Sequence, residues 1–333
     1  MKNVLVIGAT GAMGTYLVPI LLAKGYTVTG VTLEDAVSDR ENLTYVKANG
    51  HDIDFIRAEL AKGYDGVVDF MSYPTTEMFE PFMDAYLSSV SHYIFLSTYR
   101  VYSYDTPIVE TSPRVYDRER PDTFVDDREY CIYKAKEEDM LRASGKKNFS
   151  IVRPAITYSK RRFQLVTLEA EIVVRRMLEG KKLVLPEGVM DKQATMSWAG
   201  DVARMLDAVL FNEKAMGETY TVATAEHHTW REIAEMYRRI GGLDYVTVDN
   251  ETFLALWGSG NVYCRQQLDY DRMYNRVVDN TKILALMGET QDDLIPLEEG
   301  LRRELAGVTL DDILDHPDAN ARMDAYLASL AKS

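Results

Sequence analysis

The 333-residue sequence predicts an α/β fold, a doubly wound parallel sheet followed by a smaller, mostly helical C-terminal part. Three observations carry that expectation. Short apolar, β-branched runs alternate with helical periodicities through the first half, which is the pattern of strand–helix–strand units in a parallel sheet. The apolar runs are continuous rather than alternating, as strands buried on both faces are. After residue 158 the periodicity becomes almost wholly helical.

The elements follow in order. "NVLVIGA" reads as a strand, "GTYLVPILLAKG" as a helix that stops at Gly25, and "YTVTGVT" and "LTYVKA" as two further strands. "DIDFIRAELAKG" is helical, "YDGVVDFM" a strand, "TEMFEPFMDAYLSSV" a helix and "HYIFLST" a strand. "REYCIYKAKEEDMLRASG" is an amphipathic helix closed by Gly145, and "FSIVRPAITY" is one more strand. In the second half, "LVTLEAEIVVRRMLEG", "AGDVARMLDAVLFN", "TWREIAEMYRRIGG" and "DNTKILALMG" read as helices. "KLVLP" and "TYTVA" are short extended pieces between them. The expected division is 1–158 for the sheet domain and 159–333 for a part that shapes a substrate pocket, with the chain crossing back to the first domain. The charged, turn-rich stretch over 110–128 is either a solvated surface loop or a lid.

Composition narrows the partners. A net charge of −14 repels nucleic acid and anionic membrane surfaces, so neither is expected as a partner. No apolar run reaches membrane-spanning length. Two cysteines, Cys131 and Cys264, are too few for a disulfide framework and suit a reducing cytoplasm. "MKNVLVIGAT" reads as a strand rather than a signal peptide. The five histidines (His51, His92, His227, His228, His316) lack metal-ligand spacing, so no metal site is expected.

"VIGATGAMG" places Gly8, Gly11 and Gly14 between a strand and a helix. Glycines there let the backbone turn tightly and approach a pyrophosphate, while the helix N-terminus favours its charge. This is the context of a Rossmann-type dinucleotide site, with Gly8, Thr10, Gly11, Ala12, Met13 and Gly14 as candidate contacts. At the end of the second strand, Thr32 stands where an acid usually meets the ribose. No arginine follows directly, and Glu34 and Asp35 would repel a 2′-phosphate. NAD is therefore favoured, with NADP left open.

"REYCIYK" holds Tyr130, Tyr133 and Lys134. Residues four apart share a helix face, so Lys134 can reach the Tyr130 side. A neighbouring ammonium favours the charged form of a phenol, which suits a group that gives and takes a proton. In a chain with 21 tyrosines, the same spacing is equally that of an ordinary helical turn.

Several stretches, in order, resemble the extended short-chain dehydrogenase/reductase family, in its NAD-dependent epimerase/dehydratase group. "GATGAMG" is similar to its nucleotide loop, and "NGHD" (Asn49 to Asp52) to its Asp-x-x-Asp. "FLSTYRVY" resembles Ser-Ser-x-x-Val-Tyr, and "YCIYKAKEE" resembles Tyr-x-x-x-Lys-Ala-x-x-Glu, on Tyr130, Lys134 and Glu138. "VRPAITY" is similar to its Leu-Arg-Pro strand, and "AGDVAR" with "VVDNTKILALMG" to its C-terminal landmarks. The resemblance implies that Tyr130 is the acid/base on the substrate oxygen, that Lys134 assists it and meets the nicotinamide ribose, and that Thr98 hydrogen-bonds the reacting oxygen. Tyr133 is then a packing residue. The resemblance also implies cofactor contacts from Thr32, Asn49, Gly50, Phe70, Met71, Ser72, Lys134 and Pro154, and a homodimer.

Departures bear on the substrate. Tyr99 and Arg100 stand where dehydratases of the family carry Asp-Glu. Ala155, Ile156 and Thr157 follow the Arg-Pro strand where nucleotide-sugar members carry asparagine, and Ala194 stands where they often carry arginine. Arg161, Arg162, Arg272 and Arg276 are the candidates to hold a substrate diphosphate instead. The function expected is an NAD-dependent epimerase acting on a small-molecule substrate, a nucleotide sugar, through a transient keto intermediate. The alternatives are a dehydrogenase or reductase of a non-nucleotide hydroxyl or ketone compound, and a non-catalytic nucleotide-binding regulator.

Overall fold

The apolar runs of the first half become one parallel sheet in the computed structural model, which describes residues 2–104, 106–118, 129–258 and 262–330. The strands are β1 (Asn3–Ile7), β2 (Thr27–Thr32), β3 (Leu43–Lys47), β4 (Gly66–Asp69), β5 (His92–Leu96), β6 (Phe149–Pro154) and β7 (Thr219–Val222). Their spatial order is β7-β6-β5-β4-β1-β2-β3, all parallel. Val4 of β1 stands opposite Val28 of β2 on one side and Gly66 of β4 on the other. The strand order reverses there, and a ligand crevice opens at the carboxyl ends of strands at such a reversal.

Both faces of the sheet are covered. The first helices are α1 (Gly14–Ala23), α2 (Ile53–Leu60), α3 (Thr76–Ser89) and α4 (Tyr130–Ala143); α5 (Ala170–Leu178), α6 (Ala199–Val209) and α7 (Trp230–Gly241) follow. Val4 and Val6 pack with Leu17 and Leu21 of α1 and Leu206 of α6. Leu5 and Ile7 pack with Ile56 of α2 and Phe79 and Phe82 of α3. Successive side chains of a strand point to opposite faces, so burial on both faces is why β1 reads as an unbroken apolar run. A third core joins Trp230, Ile233 and Tyr237 of α7 to Ile172 of α5 and to Leu183 and Leu185.

Three segments differ from the sequence expectation. "FSIVRPAITY" is two strands: β6 stays in the sheet, while Ile156–Tyr158 leaves it to pair with Met196–Trp198. "TYTVA" is no isolated piece but β7, the sheet edge beside β6, so the chain returns from the helical part to the sheet. "LVTLEAEIVVRRMLEG" turns helical only at Ala170; Gln164–Leu165 and Leu168–Glu169 form an antiparallel pair around Val166, whose φ is 57°. A β-branched residue in the left-handed region is rare, and helical periodicity gives no sign of it.

Of the charged loop expected over 110–128, residues 119–128 lie outside the described residues. The part before them contains a single 3₁₀ turn, Val115–Asp117. Among the described residues no helix is long and apolar enough to cross a membrane.

Candidate active site

The crevice beside β1 is shaped by glycines. Gly8 ends β1 at φ +83°, and the N–H groups of Gly8 and Ala9 both donate to Val31 O, at 2.9 and 3.1 Å. This pins the loop to β2. A Cβ on Gly14, the first residue of α1, would lie 2.5 Å from the carbonyl oxygens of Gly8 and Ala9. A Cβ on Gly50 would lie 2.6 Å from Ile7 Cγ2. The first turn of α1 carries no acidic residue, so its positive end is available to an anion.

The result is a crevice of about 360 Å³, lined by Gly8, Thr10, Gly11 and Ala12, by Thr32, Leu33 and Glu34 after β2, by Asn49 and Gly50, and by Met71 and Arg161. Its volume falls in the usual range for small-molecule sites. The Thr10 and Thr32 hydroxyls are 2.6 Å apart, and Thr32 Oγ1 accepts from Glu34 N–H at 3.1 Å. A narrow cleft with glycine walls, a helix N-terminus and hydroxyls at one end fits a dinucleotide. Of the other sequence-predicted contacts, Met13 is the N-cap of α1, and Phe70 stands beside Gly8, donating its N–H to Ile7 O at 3.1 Å. Pro154 is the last residue of β6, in register with Val222.

The predicted catalytic residues lie on two segments, the turn after β5 and the first turns of α4. Thr98 follows β5 and caps the 3₁₀ turn Tyr99–Val101, its Oγ1 accepting from Arg100 N–H at 3.2 Å. Tyr130 is the first residue of α4, which starts two residues later than expected. Glu129 caps that helix by accepting from Cys131 N–H at 2.6 Å. Arg100 Nη2 donates to Glu129 at 2.8 Å, and its guanidinium lies 5.5 Å from the Tyr130 ring centre. Arg100 thus ties the turn that carries Thr98 to the start of the helix that carries Tyr130. Both Arg100 and Tyr130 line a second cleft of about 310 Å³, with Pro74, Glu129, Tyr133, Tyr263, Cys264 and Gln267.

Lys134 is buried and faces another way. Its Nζ lies 3.0 Å from Glu137 Oε2, 3.5 Å from Met71 O and 4.6 Å from the Phe95 ring centre. Among the described residues no hydrogen bond joins it to Tyr130. It borders the end of β4, where Met71 lines the dinucleotide crevice. Tyr133 does more than pack: its hydroxyl is 2.6 Å from Ser72 Oγ, and its ring meets Tyr130 edge-on at 5.5 Å. Burial pushes the Tyr133 phenol up and keeps it neutral. Burial also raises the Glu137 carboxyl to about 7, against the pull of Lys134. Asp69 is raised by burial too, although Met71 N–H (2.9 Å) and the Tyr73 (2.9 Å) and Tyr93 (3.2 Å) hydroxyls donate to it.

One buried carboxylate fixes α4 on the sheet. Glu138 accepts from Arg153 of β6 through Nε at 2.8 Å and Nη2 at 2.5 Å, and from Ser97 Oγ at 2.6 Å. Charge-assisted, two-pronged bonding of this kind holds orientation as well as distance.

The four arginines named from the sequence lie in three places. Arg161 donates to Glu34 through both Nη atoms, at 2.8 and 3.1 Å, and lines the dinucleotide crevice. Arg162 lies 3.7 Å from Glu169. Arg272 and Arg276 are buried at 2% exposure, which places them beneath the surface near the second cleft rather than in its wall. Arg276 bonds Asp271 (2.8 Å), Tyr102 O (3.2 Å) and Ser103 O (3.0 Å). Arg272 bonds Val166 O (2.8 Å) and Gln164 Oε1 (3.2 Å) and is in ion contact with Asp271. Arg100 Nε is 3.9 Å from the same Asp271. Three guanidiniums therefore gather on two carboxylates, Glu129 and Asp271. Sequence reasoning missed Arg100, Glu129 and Glu137 as members of the site. The available signals were Arg100 two residues after Thr98 and Glu137 one helical turn after Lys134.

Comparison with known proteins follows the same lines. The profile of the NAD dependent epimerase/dehydratase family matches residues 4–223. A curated relative, chloroplast stem-loop binding protein of 41 kDa b of Arabidopsis thaliana, is 24% identical over 257 residues, which are 72% of this chain and 64% of the relative. Epimerase Mth375 of Methanothermobacter thermautotrophicus superposes with a TM-score of 0.70 at 15% identity, over 92% of this chain and 91% of that one. UDP-glucose 4-epimerase of Thermus thermophilus, solved in complex with NAD, gives 0.67 at 19% identity, over 92% and 100%. With residues 4–223, two-thirds of its length, matched, the chain belongs to the NAD dependent epimerase/dehydratase family.

Proposed function

We propose that this chain is an NAD-dependent epimerase that acts on a nucleotide sugar through a transient keto intermediate. The observation that carries the reading is the position of Tyr130. It lines a cleft with Arg100, close to the strand ends that also border the dinucleotide crevice. NAD, when bound, supplies the hydride acceptor and donor. Gly8, Gly11, Gly14 and the start of α1 would hold its pyrophosphate, Asn49 and Gly50 would border its adenine, and Lys134 would take its ribose hydroxyls.

Thr98 hydrogen-bonds the reacting substrate oxygen. The Tyr130 oxygen, as the phenolate, accepts the proton as the substrate hydroxyl becomes a ketone, and as the phenol returns it once the sugar presents its other face. Arg100 meets the substrate's anionic group at the cleft wall, with Arg272 and Arg276 behind it around Asp271. Three guanidiniums against two carboxylates leave the positive excess that a diphosphate calls for. Arg162 is assigned to the outer rim. A homodimer across α3 and α4 and a cytoplasmic location complete the reading.

The test is incubation of the purified protein with UDP-glucose, UDP-galactose and UDP-glucuronic acid, without added cofactor. Formation of the C4 epimer, lost in Tyr130→Phe, supports the proposal. Net accumulation of reduced dinucleotide without an epimer transfers it to the dehydrogenase class. A second reading, a non-catalytic nucleotide-binding regulator, is favoured by the engagement of Lys134 with Glu137 and by the name of the plant relative. That reading expects dinucleotide uptake with no turnover of any sugar.

A further inference from the structure

Glu34 and Arg161 are 127 residues apart in sequence and meet at the mouth of the dinucleotide crevice. Both line it, and the two Nη atoms of Arg161 donate to the two carboxylate oxygens of Glu34 at 2.8 and 3.1 Å. Each partner is held from its own side. Thr32 Oγ1 accepts from Glu34 N–H at 3.1 Å and lies 2.6 Å from the Thr10 hydroxyl of the glycine loop. Arg161 sits in a tight turn in which Ser159 and Arg162 exchange backbone hydrogen bonds at 2.8 and 2.9 Å, and Ser159 Oγ accepts from Arg161 N–H at 3.2 Å. The next residue back, Lys160, donates its N–H to Glu304 at 2.7 Å.

We propose that Glu34 and Arg161 form a clasp over the adenosine ribose and that their pairing selects NAD over NADP. The inference rests on the dinucleotide reading of the crevice given above. Thr32 carries no charge, so the acid that meets the ribose is Glu34, two positions on, drawn into place by the Thr32 hydroxyl. The guanidinium that could hold a 2′-phosphate is present, but Glu34 occupies both of its terminal nitrogens. A 2′-phosphate would have to displace a carboxylate from a two-pronged pairing and then sit against that carboxylate's charge. At 51% and 49% exposure the clasp is open to solvent, weak enough to part when the cofactor enters or leaves. Loss of the carboxylate alone turns the same arginine from a latch into a phosphate site.

The full-length protein is equilibrated with an equal mixture of NAD and NADP, and the bound ratio is read by native mass spectrometry. Wild type is expected to carry NAD in large excess. Glu34→Ala, and Glu34→Gln with its size kept, should raise the NADP share at least about tenfold, the scale of one charge-assisted contact. Arg161→Ala should not raise it, and adding Arg161→Ala to Glu34→Ala should abolish the gain. Both side chains are half exposed, so the variants should melt near wild type. An unchanged ratio in both Glu34 variants, or a gain that survives loss of Arg161, overturns the clasp while leaving the dinucleotide site intact. A wild-type protein that takes up neither dinucleotide overturns the site and the clasp together.

Discussion

Lys134 and Glu137 are a buried ion pair one helical turn apart, 3.0 Å between Nζ and Oε2, at 1% and 0% side-chain exposure. The pair has a direct consequence for stability. Burial raises the Glu137 carboxyl to about 7 in the fold, well above its value in an unfolded chain. A carboxyl raised in this way adds stability below its unfolded value, and that contribution is lost as pH climbs through its folded value. Glu137→Gln removes the dependence. Urea denaturation from pH 5 to pH 8 should show the variant gaining on wild type by up to about 3 kcal/mol across that window. Parallel profiles would contradict the assignment.

Tyr130→Phe keeps the ring that packs against Tyr133 and Arg100 and removes only the hydroxyl. Turnover should fall about 10²–10⁴-fold, the usual weight of a positioned acid/base. Dinucleotide retention should match wild type, because Tyr130 does not line the dinucleotide crevice. Loss of both together would mean that the residue is structural.

Arg153→Leu leaves Glu138 buried at 0% exposure without its two-pronged partner. Breaking one side of a buried pair costs about 3–5 kcal/mol. Ser97, Arg142 and Arg114 still reach Glu138, at 2.6, 3.3 and 3.4 Å, and set the outcome toward the lower end of that range. Chemical denaturation measures it, and a change no larger than that of a typical surface substitution would show that the pair does not anchor α4.

Gly14→Ala and Gly25→Ala separate two uses of glycine. At Gly14 a Cβ would press on two carbonyl oxygens of the phosphate loop at 2.5 Å, so NAD affinity should fall at least about tenfold. At Gly25 a Cβ meets nothing within 4 Å, but φ is +79°; the cost there is about 1 kcal/mol of stability with NAD affinity unchanged. Calorimetric titration and thermal melting read the two effects independently.

The sheet was legible because its strands are buried on both faces: "NVLVI" and "GVVD" can hardly be anything else beside helices of 3.6 periodicity. The shape of the crevice beside β1 was legible for a related reason. Tight backbone approach demands Gly8, Gly14 and Gly50, and glycine is visible in a sequence. What was not legible depends on contacts between distant residues. Arg161 reads as one of three adjacent basic residues until the fold brings it to Glu34. Arg272 and Arg276 read as surface charge in "YDRMYNR", yet Asp271 and backbone carbonyls hold them inside. The i, i+4 spacing correctly put Tyr130 and Lys134 on one helix, but it could not register that Glu137, at i+3, holds the lysine instead. "TYTVA" gave no sign of its parallel neighbour, because β6 lies 65 residues before it.

The most direct test of a retained dinucleotide is the native mass spectrum of the protein as purified, with no cofactor added. An epimerase that returns its hydride to the same sugar has no need to release the dinucleotide. The expected spectrum shows a mass raised by one NAD per chain. A chain at its bare mass that takes up neither NAD nor NADP when they are supplied would contradict it.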